Sequence, residues 1–223
     1  MAMTAAIEAF ELYRFFHTEE SETLALRGVS LGVAAGEMVA LLGASGCGKS
    51  TLLNCLAGLD EPDGGHVELL GVRLTRRPEA ERAGRRARSI GILMQANNLM
   101  PNLRLVDNMV LAMQLAGKPD SSRASGLFEQ LGLAGHVLAR PAQLSGGEVA
   151  RAGLAIALAA TPKILLADEP TGEVDAATEK LVLEVFRQQR AAGTAILIAT
   201  HSEALASHAD RVVHMRSGKV VDV

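Results

Sequence analysis

The stretch LLGASGCGKSTLL, residues 41–53, holds the densest chemistry in the chain. Gly43, Gly46 and Gly48 alternate with Ala44, Ser45 and Cys47, and Lys49, Ser50 and Thr51 follow. Glycines let successive backbone N–H groups turn toward one centre and form a nest for an anion. A helix starting directly behind them adds the positive end of its dipole. The spacing fits the phosphate-loop pattern G-x-x-x-x-G-K-[ST], in which the lysine reaches the outer phosphates and the next hydroxyl, here Ser50, ligates magnesium. With glycine at roughly 7% usage, chance gives this pattern in about one chain in a hundred of this size. All nine residues, Gly43 to Thr51, are therefore candidate nucleotide contacts.

KILLADEP (163–170) supplies what such a loop needs beside it. A buried strand delivering Asp168 to the carboxyl edge of a sheet would place that carboxylate next to the phosphate loop, where ligands bind in open α/β folds. Asp168 suits Mg2+, held through water. Glu169 suits a base or a group orienting water for attack on the γ-phosphate. LSGGE (144–148) raises a question, because Ser-Gly-Gly entering the apolar helix VARAGLAIALA is a second anion-binding helix start. One nucleotide does not need two cradles from one chain.

These residues require elements to hold them. EMVALLG (37–43), KILLAD (163–168) and TAILIAT (194–200) are short continuous apolar runs, the signature of buried parallel strands. KSTLLNCLAGL repeats leucine at helical spacing and reaches Gly58, and ATEKLVLEVFRQQRAAG is an amphipathic helix closed by Gly193. Strands alternating with helices imply a parallel sheet covered on both faces. IEAFELYRFF and ALRGVSLGV alternate like antiparallel strands, and HVELLGVRL (66–74) is a candidate to join them. From Asn97 to Ala160 no strand is evident, and helical patterns break at Gly117-Lys118-Pro119 and Arg140-Pro141. The expected fold class is α/β: a phosphate-loop NTPase core with a parallel sheet, a small antiparallel β subdomain and a helical insertion subdomain.

Composition bounds the function. At 223 residues the chain can bury a sizeable core. A net charge of −3 gives no general drive toward nucleic acid, and no nucleic-acid partner is expected. Arginines cluster in RLTRRPEAERAGRRAR (73–88), but Glu79 and Glu81 interrupt them, as on a solvated helix face. Cys47 and Cys55 lack disulfide-framework or metal spacing, which fits a reducing compartment. The acids in MAMTAAIEAFELYR argue against a signal peptide. The longest apolar run, AGLAIALAA, is too short to span a bilayer, so a membrane role is expected to come through a partner.

A phosphate loop, then Gln95, then LSGGE before the acidic strand, then a lone His201 after the next strand, resembles the motif order of the ATP-binding-cassette (ABC) ATPases. The resemblance covers essentially the whole chain. It implies one ABC ATPase domain over 1–223, with 1–96 and 161–223 forming the core and 97–160 the helical subdomain that carries the signature. In that family two nucleotide domains dimerise head to tail, and the signature of one closes on the γ-phosphate held by the other. LSGGE would then serve the same kind of site in a second copy of the chain. The implied cofactors are ATP and Mg2+.

Position by position, Phe16 stands where the family stacks an aromatic on adenine; Tyr13 is a second candidate, and core packing is the alternative. Gln95 resembles the glutamine that touches Mg2+ and the attacking water and senses the transporter. Ser145, Gly146, Gly147 and Glu148 form the signature, Asp175 resembles the aspartate linking the two sites, and His201 the switch histidine on the γ-phosphate. His208 and His214 are read as ordinary surface residues. The chain departs from the family after the signature, where Val149, Ala150 and Ile156 replace basic or polar residues and only Arg151 remains, which puts the polar network behind the signature in doubt. Ser202 replaces the usual aspartate, and both are good helix caps. Cys47 beside bound phosphate suggests sensitivity to alkylation.

ADEPTG, GLDEPDGG and Glu148 together resemble the lipoprotein-release and macrolide-export branch. Its ATPases pair with permeases of four membrane spans and a large outer domain, so the chain is expected at the cytoplasmic face of the membrane, held through a permease. NNLMPNL (97–103) would form the receiving groove, with Leu99, Met100 and Leu103 as exposed anchors or, alternatively, as core. A regulatory cassette controlling cell-wall enzymes without moving solute is the second reading. A repair or translation cassette is disfavoured because the chain has no long coiled-coil insertion and no tandem cassette, and a phosphate-loop kinase because it would have no use for LSGGE.

Overall fold

The computed structural model describes residues 5–17, 22–172 and 174–222. The chain opens with β1 (Ala5–His17), β2 (Glu22–Ala34) and β3 (Met38–Leu42), followed by α1 (Lys49–Leu56). Next come β4 (Gly64–Leu69), β5 (Val72–Arg73), α2 (Glu79–Ser89) and β6 (Ile90–Leu93). The helical stretch holds α3 (Leu105–Leu115), α4 (Ser121–Gln130), two short 3-10 turns and α5 (Gly146–Leu158). The chain then runs through β7 (Ile164–Asp168), α6 (Ala176–Ala191), β8 (Ala195–Thr200), α7 (Glu203–Ala206), β9 (Arg211–Arg216) and β10 (Lys219–Asp222).

Two sheets result. One is antiparallel in the order β2-β1-β4-β5, and the other runs β10-β9-β3-β8-β7-β6. In the second sheet every neighbouring pair from β9 to β6 is parallel, and only β10 returns antiparallel, as a hairpin with β9. The three core strands expected from the sequence are β3, β7 and β8. The segment at 66–74 does join the antiparallel sheet, through β4 and β5. Strands β6, β9 and β10 are additions.

The core strands are apolar throughout because both faces are buried. Val39, Leu41, Leu166, Ile164, Leu197 and Ala199 pack toward α1 and the antiparallel sheet. Met38, Leu165, Ala167, Ile196 and Ile198 pack toward α3, α5 and α6. This period of two across a doubly covered sheet is what parallel pairing produces. The helical insertion thus shares its core with the sheet. Gly91 on β6 makes that contact close, since a Cβ there would lie 2.3 Å from the Ala157 carbonyl oxygen of α5. Helix α2 buries no residue fully, as a solvated face should, yet its arginines are organised: Arg82 joins Glu61 and Glu79, and Arg86 bonds the Gly58 carbonyl.

Candidate active site

Strand register builds the site. Leu42 of β3 lies opposite Thr200 of β8, Asp168 of β7 opposite Ala199, and Leu93 of β6 opposite Ala167. Four parallel strands therefore end on one edge, and the residues just past them are Gly43, Glu169, His201 and Met94-Gln95. Gly46 and Gly48 take φ of +76° and +109°, a region that side chains disfavour, and Gly48 caps the start of α1. A Cβ on Gly43 would lie 2.4 Å from the Met215 carbonyl oxygen, so the loop passes hard against β9. The Lys49 ammonium is buried and donates to the carbonyls of Gly43 (2.6 Å) and Ala44 (3.3 Å).

The acidic pair divides its roles by environment. Asp168 is buried; desolvation pushes its pKa up, and the Ser50 hydroxyl, which donates to it, opposes that shift. Glu169 sits at φ +46°, a strained conformation for a residue with a side chain, and its N–H donates to the Ala199 carbonyl. Its carboxylate accepts from Thr200 Oγ1 at 3.1 Å and lies 2.9 Å from His201 Nδ1. Lys49 Nζ lies 3.8 Å from the oxygen that His201 holds. A carboxylate, a histidine and a buried ammonium thus converge, while the His201 side chain stays 66% exposed.

Lys49, Asp168 and Glu169 open onto one cavity of about 380 Å³, lined also by Phe16, Gln95 and the rest of Ser45 to Thr51; His201 stands outside its lining, and Gly43 and Ala44 line a neighbouring cleft instead. Phe16 lines it and Tyr13 does not, although both are exposed; Tyr13 instead covers Gly28 and Gly64. Cys47 lines the cavity as a buried, free thiol. Sequence reasoning missed Thr23, Leu24, Ala25 and Arg27 of β2, and Ser217-Gly218 of the β9–β10 turn, which complete the wall. Nothing in their local pattern marks them; they arrive by the pairing of β1 with β2 and by the Arg27 N–H donating to the Gly218 carbonyl.

Gln95 rides on a pinned loop. The Asn98 side chain accepts from the Met94 N–H and donates to the Met94 carbonyl, both at 2.7 Å, which leaves Gln95, Ala96 and Asn97 exposed. The segment 97–103 is not a row of exposed anchors. Leu99 is buried in the helical core and Leu103 is half-buried, so of the three expected anchors only Met100, 57% exposed, faces outward. The buried Asn108 amide holds this segment through the backbone of Met100, Leu103 and Arg104.

The signature stands apart from the cavity. Ser145 caps α5 in a reciprocal box with Glu148: Glu148 accepts from the Ser145 N–H (2.8 Å) and hydroxyl (2.9 Å), and its own N–H donates back to Ser145 Oγ. These bonds hold the Glu148 carboxyl below the usual carboxylate range. Ser145 is an exposed residue, and Gly146 lines a neighbouring cleft with Gln95, Val149, Ala150 and Glu169. The polar network behind the signature persists in reduced form. Arg151 Nη1 donates to Thr178 Oγ1 (2.8 Å), and Thr178 to Asp175 (3.1 Å), but Arg151 Nε is buried without a partner among the described residues. Asp175 also caps α6 through the N–H groups of Ala177 and Thr178. Within this chain, then, the signature helix is tied to the Asp175 turn and not to the phosphate loop.

A glycine nest at a helix start, with a buried carboxylate and a glutamate–histidine pair beside it, is the arrangement of a phosphate-loop nucleotide hydrolase. Residues 26–172 match the ABC transporter family. Lipoprotein-releasing system ATP-binding protein LolD of Hyphomonas neptunium is 38% identical, with 99% of this chain and 98% of that protein covered. Macrolide export ATP-binding/permease protein MacB of Rhodopirellula baltica is 39% identical over 97% of this chain but only 32% of its own length. Among solved structures the chain is similar to the bacterial ABC transporter cassette MJ0796, at TM-score 0.91 and 29% identity over 96% of both chains. That cassette is known as a dimer and, with the same match, in a post-hydrolysis state with ADP and phosphate. The chain belongs to the ABC transporter family, as one of its ATP-hydrolysing cassettes.

Proposed function

We propose that this chain is the ATPase subunit of a membrane ABC complex, working as a head-to-tail homodimer on a permease at the cytoplasmic face of the membrane. The observation that carries the shared site is spatial. The phosphate loop, Asp168, Glu169 and His201 meet at one sheet edge, while Ser145 stands exposed on another element, tied to Asp175. We read 1–223 as a single cassette, 1–96 and 161–223 forming its core and 97–160 the signature-bearing subdomain. Relatives named for lipoprotein release and macrolide export favour the export-type reading over a purely regulatory cassette.

The residues fit ATP with magnesium. The loop N–H groups and Lys49 take the β- and γ-phosphates; Ser50, Asp168 and Gln95 hold the ion; Phe16 takes the adenine. The ion that Ser50, Asp168 and Gln95 would hold would supply positive charge against the charge developing on the phosphates. Lys49 now rests on the Gly43 and Ala44 carbonyls and near Glu169. Moving to phosphate oxygens would free Glu169 to take the proton of the attacking water, with His201 and Thr200 fixing its orientation.

Asp168 links stability to this role. Its raised pKa means that, without nucleotide, its contribution to stability is present at low pH and lost as pH rises through that pKa. Asp168→Asn is therefore expected to raise the melting temperature of the nucleotide-free chain at neutral pH. It should also abolish the extra stabilisation that Mg2+ adds to ATP; full ligand stabilisation is about 2.7 kcal/mol at one hundred times Kd. A thermal melt with ATP, with and without Mg2+, reads both effects.

In place of a groove formed by 97–103, we place the permease on a largely apolar groove of about 470 Å³ between α2, β6, α3 and α5, to which only Asn98 of that segment contributes. Ala83, Gly84, Ala87, Ala112, Gly153 and Ala157 give it a floor of small residues, with Ile156 and exposed Leu115 on its walls. Ile156, where the family often has arginine, makes the groove more apolar. The test is capture of tagged Glu169→Gln chain with ATP from detergent-solubilised membranes. A four-span permease with a large outer domain is expected, and Leu115→Glu, a surface change that should spare the fold, should lose it. A repair or ribosomal partner would overturn the transporter reading.

A further inference from the structure

Phe16 does not stand alone. The guanidinium of Arg14, two residues earlier on β1, lies over its ring with Cζ 4.7 Å from the centroid. That guanidinium is fixed by the loop following α1: Nε and Nη2 donate to the two carboxylate oxygens of Asp60 at 2.9 and 2.8 Å, and Nη1 to Asp63 at 3.1 Å. Nη1 also donates to the Phe15 carbonyl, and the Phe15 N–H returns to Asp63 at 2.7 Å. A bidentate arginine pair is the most rigid geometry two charged side chains offer.

The phosphate loop begins α1, and Asp60 and Asp63 follow its end. Arg14 therefore ties the strand that carries Phe16 to the far end of the helix that carries the phosphate cradle. One face of the Phe16 ring is occupied by the guanidinium, and the ring also lines the nucleotide cavity.

We propose that Arg14 is a positioning residue for the nucleotide base: anchored by Asp60 and Asp63, it holds Phe16 so that adenine, Phe16 and the guanidinium form a three-layer stack at a fixed distance from the phosphate loop. The proposal rests on the reading of Phe16 as the base platform. Phenylalanine has no hydroxyl with which to anchor itself at a half-exposed strand end, and among the described residues Arg14 makes a ring contact that can orient it. The cation also polarises the ring from the face opposite the base. Lysine at this position keeps the charge but loses both the planar stack and the paired bonds.

The test is a double-mutant cycle on the full chain, read by displacement of a fluorescent ATP analogue, since the chain contains no tryptophan. Arg14→Lys should raise the Kd for ATP about 2–5-fold, with the loss in turnover falling on KM. Phe16→Ala should raise it about 10–100-fold. In the Phe16→Ala background, Arg14→Lys should add less than about 1.5-fold, because its effect passes through the ring. Binding of inorganic tripolyphosphate, which has no base, should be the same in all four proteins. The proposal is overturned if Arg14→Lys leaves ATP affinity unchanged, if its penalty persists undiminished without Phe16, or if tripolyphosphate weakens in parallel, which would mark a structural effect on the loop. If Phe16→Ala itself binds ATP normally, the base-platform reading fails and the proposal with it.

Discussion

Glu169→Gln is expected to lower steady-state ATP turnover by about 10²–10⁴-fold while ATP affinity stays within about twofold. The substitution is nearly isosteric, and its amide oxygen can still accept from Thr200, so the strained φ at this position remains supported from β8. What disappears is the proton acceptor and the charge 3.8 Å from Lys49. Binding depends on the loop, Lys49 and Asp168, none of which changes. Single-turnover hydrolysis and nucleotide binding on the same preparation separate the two. A variant hydrolysing at the native rate would remove Glu169 from the base role.

Ser145→Asp is the second large effect. Aspartate can still accept from the Glu148 N–H as an N-cap, although it loses the hydroxyl bond to the Glu148 carboxylate, and a thermal melt checks that α5 keeps its start. The new carboxylate would face the γ-phosphate held by the other copy, and loss of a stabilising donor with addition of like charge should cut hydrolysis by at least about 10²–10³-fold. ATP binding by the isolated chain should be spared, because Ser145 does not line its own nucleotide cavity. Hydrolysis that is first order in protein and indifferent to this substitution would mean that each chain works alone.

Much of this site is legible in the sequence because its chemistry is local. Gly43 to Thr51 are contiguous, a loop running into a helix start, and Asp168-Glu169 stand at the end of a strand that hydrophobicity reveals. What stays hidden depends on pairing at a distance. Strand β6 is only four residues long and follows directly on the arginine-rich α2, so periodicity gives no sign of it, yet it alone brings Gln95 to the sheet edge. The strain at Glu169 comes from register with Ala199 and cannot be read from a tripeptide. Leu99 looks like an exposed anchor in NNLMPNL, but Asn98 and Asn108 fold that segment back by side-chain bonds to backbone, and burial follows. Arg27 lines the cavity through cross-strand geometry for the same reason. Arg14 could be noted only as a basic residue near an aromatic one; its two aspartate partners lie more than forty positions away.

If two copies share the site, ATP must bring them together. The most direct test is the mass of Glu169→Gln protein in solution, by light scattering or sedimentation, with and without Mg-ATP. Without nucleotide the 23.4 kDa chain should behave as a monomer, with saturating Mg-ATP its mass should double, and adding Ser145→Asp to the same chain should keep it monomeric. A Glu169→Gln chain that binds ATP to saturation and still remains a monomer would contradict the shared site.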